Sequence, residues 1–244
     1  MDRAELTLAR SMDALLNQQN SIASNLANMG STAFKRQAGN TEPFEMVLNR
    51  QANREVVPVY RERTDWTQGD ITYTGDTRNI ALEGEGMLQV TDKSLPGQIL
   101  LTRTGILDID PEGFLTTGGR RVLGPAGNPI QVGGHDQFQI TANGQVSDPN
   151  TGDTIGNLGR FMVEDPRGLE YLGDGIYRHN PQKAGKLRQD LFTLVRQKNL
   201  ESSNVQSISE MVSMISVQRH FQAITKALSA FESATDQLNQ LAQS

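Results

Sequence analysis

Apolar positions recur along this chain in three rhythms, and the rhythm changes where glycine and proline begin and end. Near the start, Leu8, Met12, Leu15, Ile22, Leu26 and Met29 fall on a 4,3 spacing, with Gln19 the one polar interruption. This heptad seam over three repeats predicts a helix over residues 1–30, stopped by Gly30. At the other end Met214, Val217, Phe221, Ile224, Leu228, Phe231, Thr235 and Leu238 keep a 3,4 spacing. Just upstream, Val205, Ile208, Val212 and Ile215 form a second seam, offset from it as a stutter would produce. No glycine or proline occurs from Leu200 to Ala242. The predicted helix is on the order of 60 Å long at 1.5 Å per residue, too long for one small domain to cover.

Between these ends the period falls to two. DITYTGD, GMLQVTD, QILLTRTGILDID, QFQITANGQVSD and RFMVED are short apolar or alternating runs set between turn signals. Their spacing, roughly ten residues, predicts an antiparallel sheet or barrel-like domain. Asn143-Gly144 marks a hairpin turn. Of 23 glycines, 21 lie between Gly69 and Gly185, and no proline precedes Pro43 or follows Pro181. Both residues penalise helix interiors, so the ends are free to be helical and the middle is not. The expected fold is α+β: N- and C-terminal helices forming a coiled-coil domain, with a discontinuously inserted antiparallel β domain. The expected limits are 1–30 for the first helix, 31–63 for an extended connector, 64–187 for the β domain and 188–244 for the second helix. The connector, with mixed charge and weak periodicity, reads as partly disordered when isolated.

Composition narrows the function classes. The 244 residues suffice for one large or two small domains, and the absence of cysteine excludes disulfides and thiolate metal sites. Residues 64–180 hold 16 acids against 8 bases, whereas the remainder is slightly basic. An acidic middle argues against a nucleic-acid partner. No apolar run approaches the roughly 20 residues of a membrane helix, so membrane insertion is not expected. The opening MDRAELTLARSMDALL is amphipathic and carries acids, which is unlike a secretory signal peptide.

Candidate chemistry is sparse. DIDPEG, from Asp108 to Gly113, imitates the start of a calcium loop, but Gly119 stands where a bidentate Glu belongs. GEGMLQ and GPAGNP lack the remaining residues of a phosphate cradle. His135, His179 and His220 have no metal-ligand spacing. Glu83, Glu85, Asp108 and Asp110 leave open a glycosidase-type carboxylate pair, and with it a secreted glycan-binding reading. Coiled coil flanking β structure leaves open an adhesin or fibre. No cofactor is indicated, and catalysis has no motif behind it.

SIASNLANMGSTAFKR, residues 21–36, resembles the N-terminal signature of bacterial flagellar rod and hook proteins, an N-N-L-A-N core before T-T-G-F-K. Asn25, Leu26, Ala27, Asn28, Thr32, Phe34 and Lys35 match, while Ser24 replaces the first Asn and Ala33 the usual glycine. LESSNVQSISEMVSMISVQRHFQ is similar to the C-terminal signature, and the central TQGDITYTGDTRNIALEGEGMLQV and LTRTGILDIDPEGFLTTGGRRVLGPAGNPI resemble the family's middle. The short length resembles proximal-rod members first and distal-rod members second.

The resemblance implies a non-enzymatic rod subunit of the basal body, whose paired end helices build an inner tube with the β domain outside. It implies copies of itself and other rod proteins as partners, and export through the flagellum's own apparatus. The expected assembly residues are Leu8, Met12, Leu15, Ile22, Asn25, Leu26, Asn28 and Phe34 at one end. At the other they are Asn204, Val205, Met211, Ile215, Phe221, Ile224, Leu228 and Phe231. Phe34 has two readings: an anchor between subunits, or a core residue of its own.

Overall fold

The computed structural model describes residues 3–42, 59–133 and 137–242. The chain divides into two units. The first is built from residues 1–28, 37–65 and 205–244, the second from 29–36 and 66–204. The fold is mixed α+β, as the patterning predicts.

In the first unit, helix α1 (Arg3–Ala27) packs on the C-terminal helix α3 (Ser207–Ala242) and on a two-stranded antiparallel ribbon, β1 (Gln37–Glu42) with β2 (Val59–Thr64). Part of the expected connector is therefore paired strand, registered from Gln37 opposite Thr64 to Glu42 opposite Val59. The disorder expected of its remainder falls on residues 43–58, outside the described residues. Ala14, Ile22 and Val217 are buried here; Ile22 lies on the 4,3 seam and Val217 on the 3,4 seam, whereas Ala14 lies on neither. Among the described residues, no helix is long and apolar enough to cross a membrane.

The second unit is antiparallel β structure. Its strands are β3 (Ile71–Tyr73), β4 (Ile80–Glu83), β5 (Met87–Thr91), β6 (Leu100–Thr102), β7 (Leu107–Ile109), β8 (Leu115–Thr117) and β9 (Arg120–Val122). Next come β10 (Gln139–Ile140), β11 (Gln145–Ser147), β12 (Thr154–Asn157), β13 (Arg160–Val163), β14 (Glu170–Gly173) and β15 (Ile176–Arg178). After one helical turn, α2 (Pro181–Ala184), follow β16 (Leu187–Gln189), β17 (Leu194–Gln197) and β18 (Asn199–Glu201). The main sheet runs β14-β15-β6-β5-β9-β8-β7, with β13 bridging β5 and β16. The Asn143-Gly144 hairpin forms between β10 and β11, with Gly144 at φ +76°.

Period-two alternation feeds two cores from one sheet. Leu88, Val90, Leu100 and Ile176 point into the larger core, whereas Met87, Leu101 and Tyr177 point into a smaller one with Trp66, Phe161 and Tyr171.

One expectation is overturned. Residues 188–206 are not helix: β16 pairs with β13, β17 with β4 and β18 with β3, and α3 starts only at Ser207. A stretch free of glycine and proline permits a helix locally. Distant strand edges that satisfy its backbone decide otherwise. Lys198, in the left-handed region at φ +64°, turns the chain between β17 and β18.

Candidate functional site

Two of the expected assembly residues, Asn25 and Phe34, are buried at joints within the chain. In the first unit the joint is Asn25, fully buried on α1. Its side-chain amide mimics a strand partner: Nδ2 donates to the Gln37 carbonyl at 2.9 Å, and Oδ1 accepts the Gln37 N–H at 2.8 Å. The same Nδ2 donates to Glu210 Oε2 at 3.2 Å, so one asparagine ties α1, β1 and α3. Asn28, half-buried, donates its side-chain N–H to the Ser24 carbonyl and closes the last turn of α1.

In the second unit the joint is built on residues 29–36. Phe34 is 2% exposed and stands edge-on to Tyr171, with ring centres 6.1 Å apart. Of its two readings, the structure has the local core residue. Beside it Lys35, Arg103 and Glu201 form a buried cluster of two cations and one anion. Lys35 Nζ donates to Glu201 Oε1 at 2.6 Å and to the Thr67 carbonyl at 2.8 Å. Arg103 donates Nε and Nη2 to Glu201 Oε2 at 3.0 and 2.9 Å, and its remaining hydrogen bonds go to the Leu82, Gly84 and Gly86 carbonyls. Ala33 donates its N–H to the Glu201 carbonyl, and Arg36 donates its N–H to Asn204 Oδ1 at 2.7 Å. The segment arriving from α1 and the segment departing for α3 are thus fastened side by side in the β unit. Removing Glu201 would strand two buried cations, which is costlier than a lost surface pair.

The remaining expected residues stay on the two helical seams. Ile22 is buried, and Met12, Leu15, Leu26, Val205, Phe221, Ile224 and Leu228 are half-buried. Met211 and Ile215 are exposed. The side chains of Leu8 and Phe231 lie outside the described residues. Met211 and Ile215 have exposed company in Ile208 and Val212, so α3 carries an uncovered apolar stripe at i, i+3, i+4 and i+7. Ile208, Val212 and Ile215 of the offset seam lie on this stripe, with Met211 added to them, whereas Val205 is half-buried.

Lys35, Arg103, Glu201, Gln37 and Glu210 were missed as a set. They are joined only by long-range contacts, Lys35 and Glu201 being 166 positions apart.

The acids that suggested hydrolysis are mostly engaged with arginines. Glu83 pairs with Arg196, Asp108 with Arg78 and Asp110 with Arg121. Burial alone would raise the Asp110 carboxyl, but the Phe114 N–H and the Arg121 guanidinium outweigh it and hold it below the usual carboxylate range. Such a group is a poor proton donor near neutral pH. DIDPEG is a strand-ending turn in which Asp110 Oδ1 accepts the N–H groups of Glu112 and Phe114. Among the described residues no group of three or more His, Asp or Glu is placed to hold a metal, and His135 lies outside them.

What the chain offers is joints and surfaces, and known proteins show whose they are. It is 32% identical to the flagellar basal-body rod protein FlgF of Escherichia coli (strain K12), over 99% of this chain and 98% of that protein. The chain belongs to the flagellar basal-body rod protein family. The FlgF protein of Salmonella typhimurium is 30% identical over the same shares of both chains. A FlgG rod protein of Buchnera aphidicola subsp. Schizaphis graminum is 27% identical over 94% of this chain and 96% of that protein. The family profile "Flagellar basal body rod FlgEFG protein C-terminal" matches residues 196–241. That span covers β18, most of α3 and the exposed stripe, so the rod-protein signature includes both the Glu201 joint and the uncovered seam.

Proposed function

We propose that this chain is a proximal-rod subunit of FlgF type, which polymerises through its terminal helices into the axial shaft of the basal body. The observation that carries the reading is the α3 stripe of Ile208, Met211, Val212 and Ile215, which is 51–79% exposed. Full burial of one such side chain is worth about 1.5–3 kcal/mol, so a neighbouring subunit has strong reason to cover four in a row. In this reading α1 and α3 pair as a coiled coil whose second seam faces other copies and other rod proteins. A contact of this heterologous kind, left unclosed, makes an open helical polymer.

The rod role requires no catalysis, and the ion-paired acids of the β unit are consistent with that. Export through the flagellum's own apparatus fits a chain with no disulfides to undo. The preference for FlgF over FlgG rests on the Escherichia coli and Salmonella typhimurium FlgF proteins, 32% and 30% identical over 99% of this chain, whereas FlgG relatives stand at 26–28% and two other FlgF relatives at 26%.

The test is electron microscopy of basal bodies from cells deleted for this gene, beside a complemented strain. An incomplete rod without hook or filament is expected, broken at its proximal end. A break at the distal end would favour FlgG, and normal hooks and filaments would refute the rod role.

A further inference from the structure

Two apolar features of the described surface lie uncovered: the Leu191–Phe192 turn between β16 and β17, and the α3 stripe of Ile208, Met211, Val212 and Ile215. The stripe has a complementary surface on the same chain, the outer face of α1. Ala9, Asp13, Leu16, Asn20, Ala23 and Ala27 recur there at 4,3 spacing, and all six are exposed. On a helical period they fall opposite buried Ala14, Ser21 and Asn25. They therefore face away from the joint that Asn25 makes with α3 and the ribbon of its own copy.

Size and charge both match across the two faces. Three of the six α1 residues are alanines, and the stripe supplies the bulk that a shallow helix face can seat. One turn beyond Ile215 stands exposed Arg219, and one turn before Leu16 stands exposed Asp13. Neither has an ion-pair partner among the described residues of its own copy. Laid antiparallel with Asp13 against Arg219, Leu16 falls on Ile215 and Ala23 on Ile208. Each of these two pairs of positions is separated by one heptad, so both apolar contacts form together. A parallel arrangement that keeps Leu16 on Ile215 sets Asp13 on apolar Val212 and leaves Arg219 facing Asn20. Within one copy the helices already run antiparallel, because Asn25 near the end of α1 bonds Glu210 near the start of α3.

We propose that the α3 stripe is covered by the outer face of α1 from a second copy of this chain, antiparallel, with Asp13 paired to Arg219. The proposal rests on the rod reading and names the partner of its exposed surface. The two faces differ, so the contact is heterologous, and every added copy leaves one α1 face and one stripe open for the next. Each α3 then lies between its own α1 and a neighbour's. The charge pair sets the register, and the apolar contacts hold it.

The chain has no cysteine, so engineered ones report cleanly. A full-length Ala23→Cys/Ile208→Cys chain is expressed in the deletion strain, and its purified basal bodies are oxidised with copper phenanthroline. A ladder of this chain's own multimers should appear, at least tenfold stronger than from Ala9→Cys/Ile208→Cys, the contact of the parallel arrangement. Separately, Asp13→Arg should lower incorporation into basal bodies several-fold, and adding Arg219→Asp to that chain should restore it. A double-cysteine chain that enters basal bodies without forming the ladder, or that links to another rod protein, overturns the proposal and leaves the rod reading standing. If that chain stays out of basal bodies, a charge swap that restores nothing overturns the proposal instead. Absence of the unaltered chain from basal bodies defeats the rod reading, and the proposal with it.

Discussion

Glu201 shows how one residue can hold chain segments that the sequence keeps far apart. Its carboxylate accepts from Lys35, Arg103 and the Gly69 N–H, so it is the single anion of the cluster. Glu201→Gln leaves two buried cations facing a neutral amide and should cost about 3–5 kcal/mol. Lys35→Met leaves Arg103 still paired and should cost clearly less. Urea unfolding can be followed through Trp66, the only tryptophan, which packs 4.8 Å from the Tyr177 ring. The reverse order of the two variants would show that the cluster is not organised around Glu201. Ala33 is a second residue-scale finding. It stands where the family's signature usually has glycine, and its backbone lies at φ +54°. A left-handed conformation costs a non-glycine residue roughly 1–2 kcal/mol, which is the physical reason for glycine there.

At the scale of elements, the two seams of α3 have different duties. Val217, 2% exposed, lies on the inward seam, and Val217→Ala should lower stability by about 2 kcal/mol. Ile208 and Ile215 lie on the outward stripe. Replacing both with Ser should leave monomer stability within about 0.5 kcal/mol, as surface changes usually do, and should abolish incorporation into rods. Thermal melting and basal-body microscopy read the two halves of this prediction. A double variant that melts early, or that still builds rods, would contradict the outward assignment. Periodicity announced both seams, because a heptad offset is a local property of the chain. It could not say which one is covered, since that depends on where α1 lies. The misread stretch at 188–206 has a related cause: Leu194 to Gln197 pairs with β4, more than a hundred positions upstream.

At the scale of the whole molecule, stability is unevenly spread. The larger β core gathers 16 buried residues from β4 through β17, whereas the buried described residues of α1 and α3 are only Ala14, Ser21, Ile22, Asn25, Glu210 and Val217. Amides of α1 and α3 should therefore exchange quickly in dilute monomer, those of β5, β6 and β15 only on global opening. Mass-spectrometric hydrogen exchange reads both, and protection of α3 equal to that of β5 in monomer would contradict the division.

The sequence by itself determined the backbone periods, the confinement of glycine to the middle and the collinear rod-protein motifs. These arise from each residue and its near neighbours, where helix and strand preferences act. Only the tertiary structure decided that Asn25 and Phe34 are joints within one chain, that Lys35, Arg103 and Glu201 meet, and that Ile208 and Phe192 remain uncovered. Burial and charge pairing depend on surfaces brought from distant positions, and no local pattern carries that information.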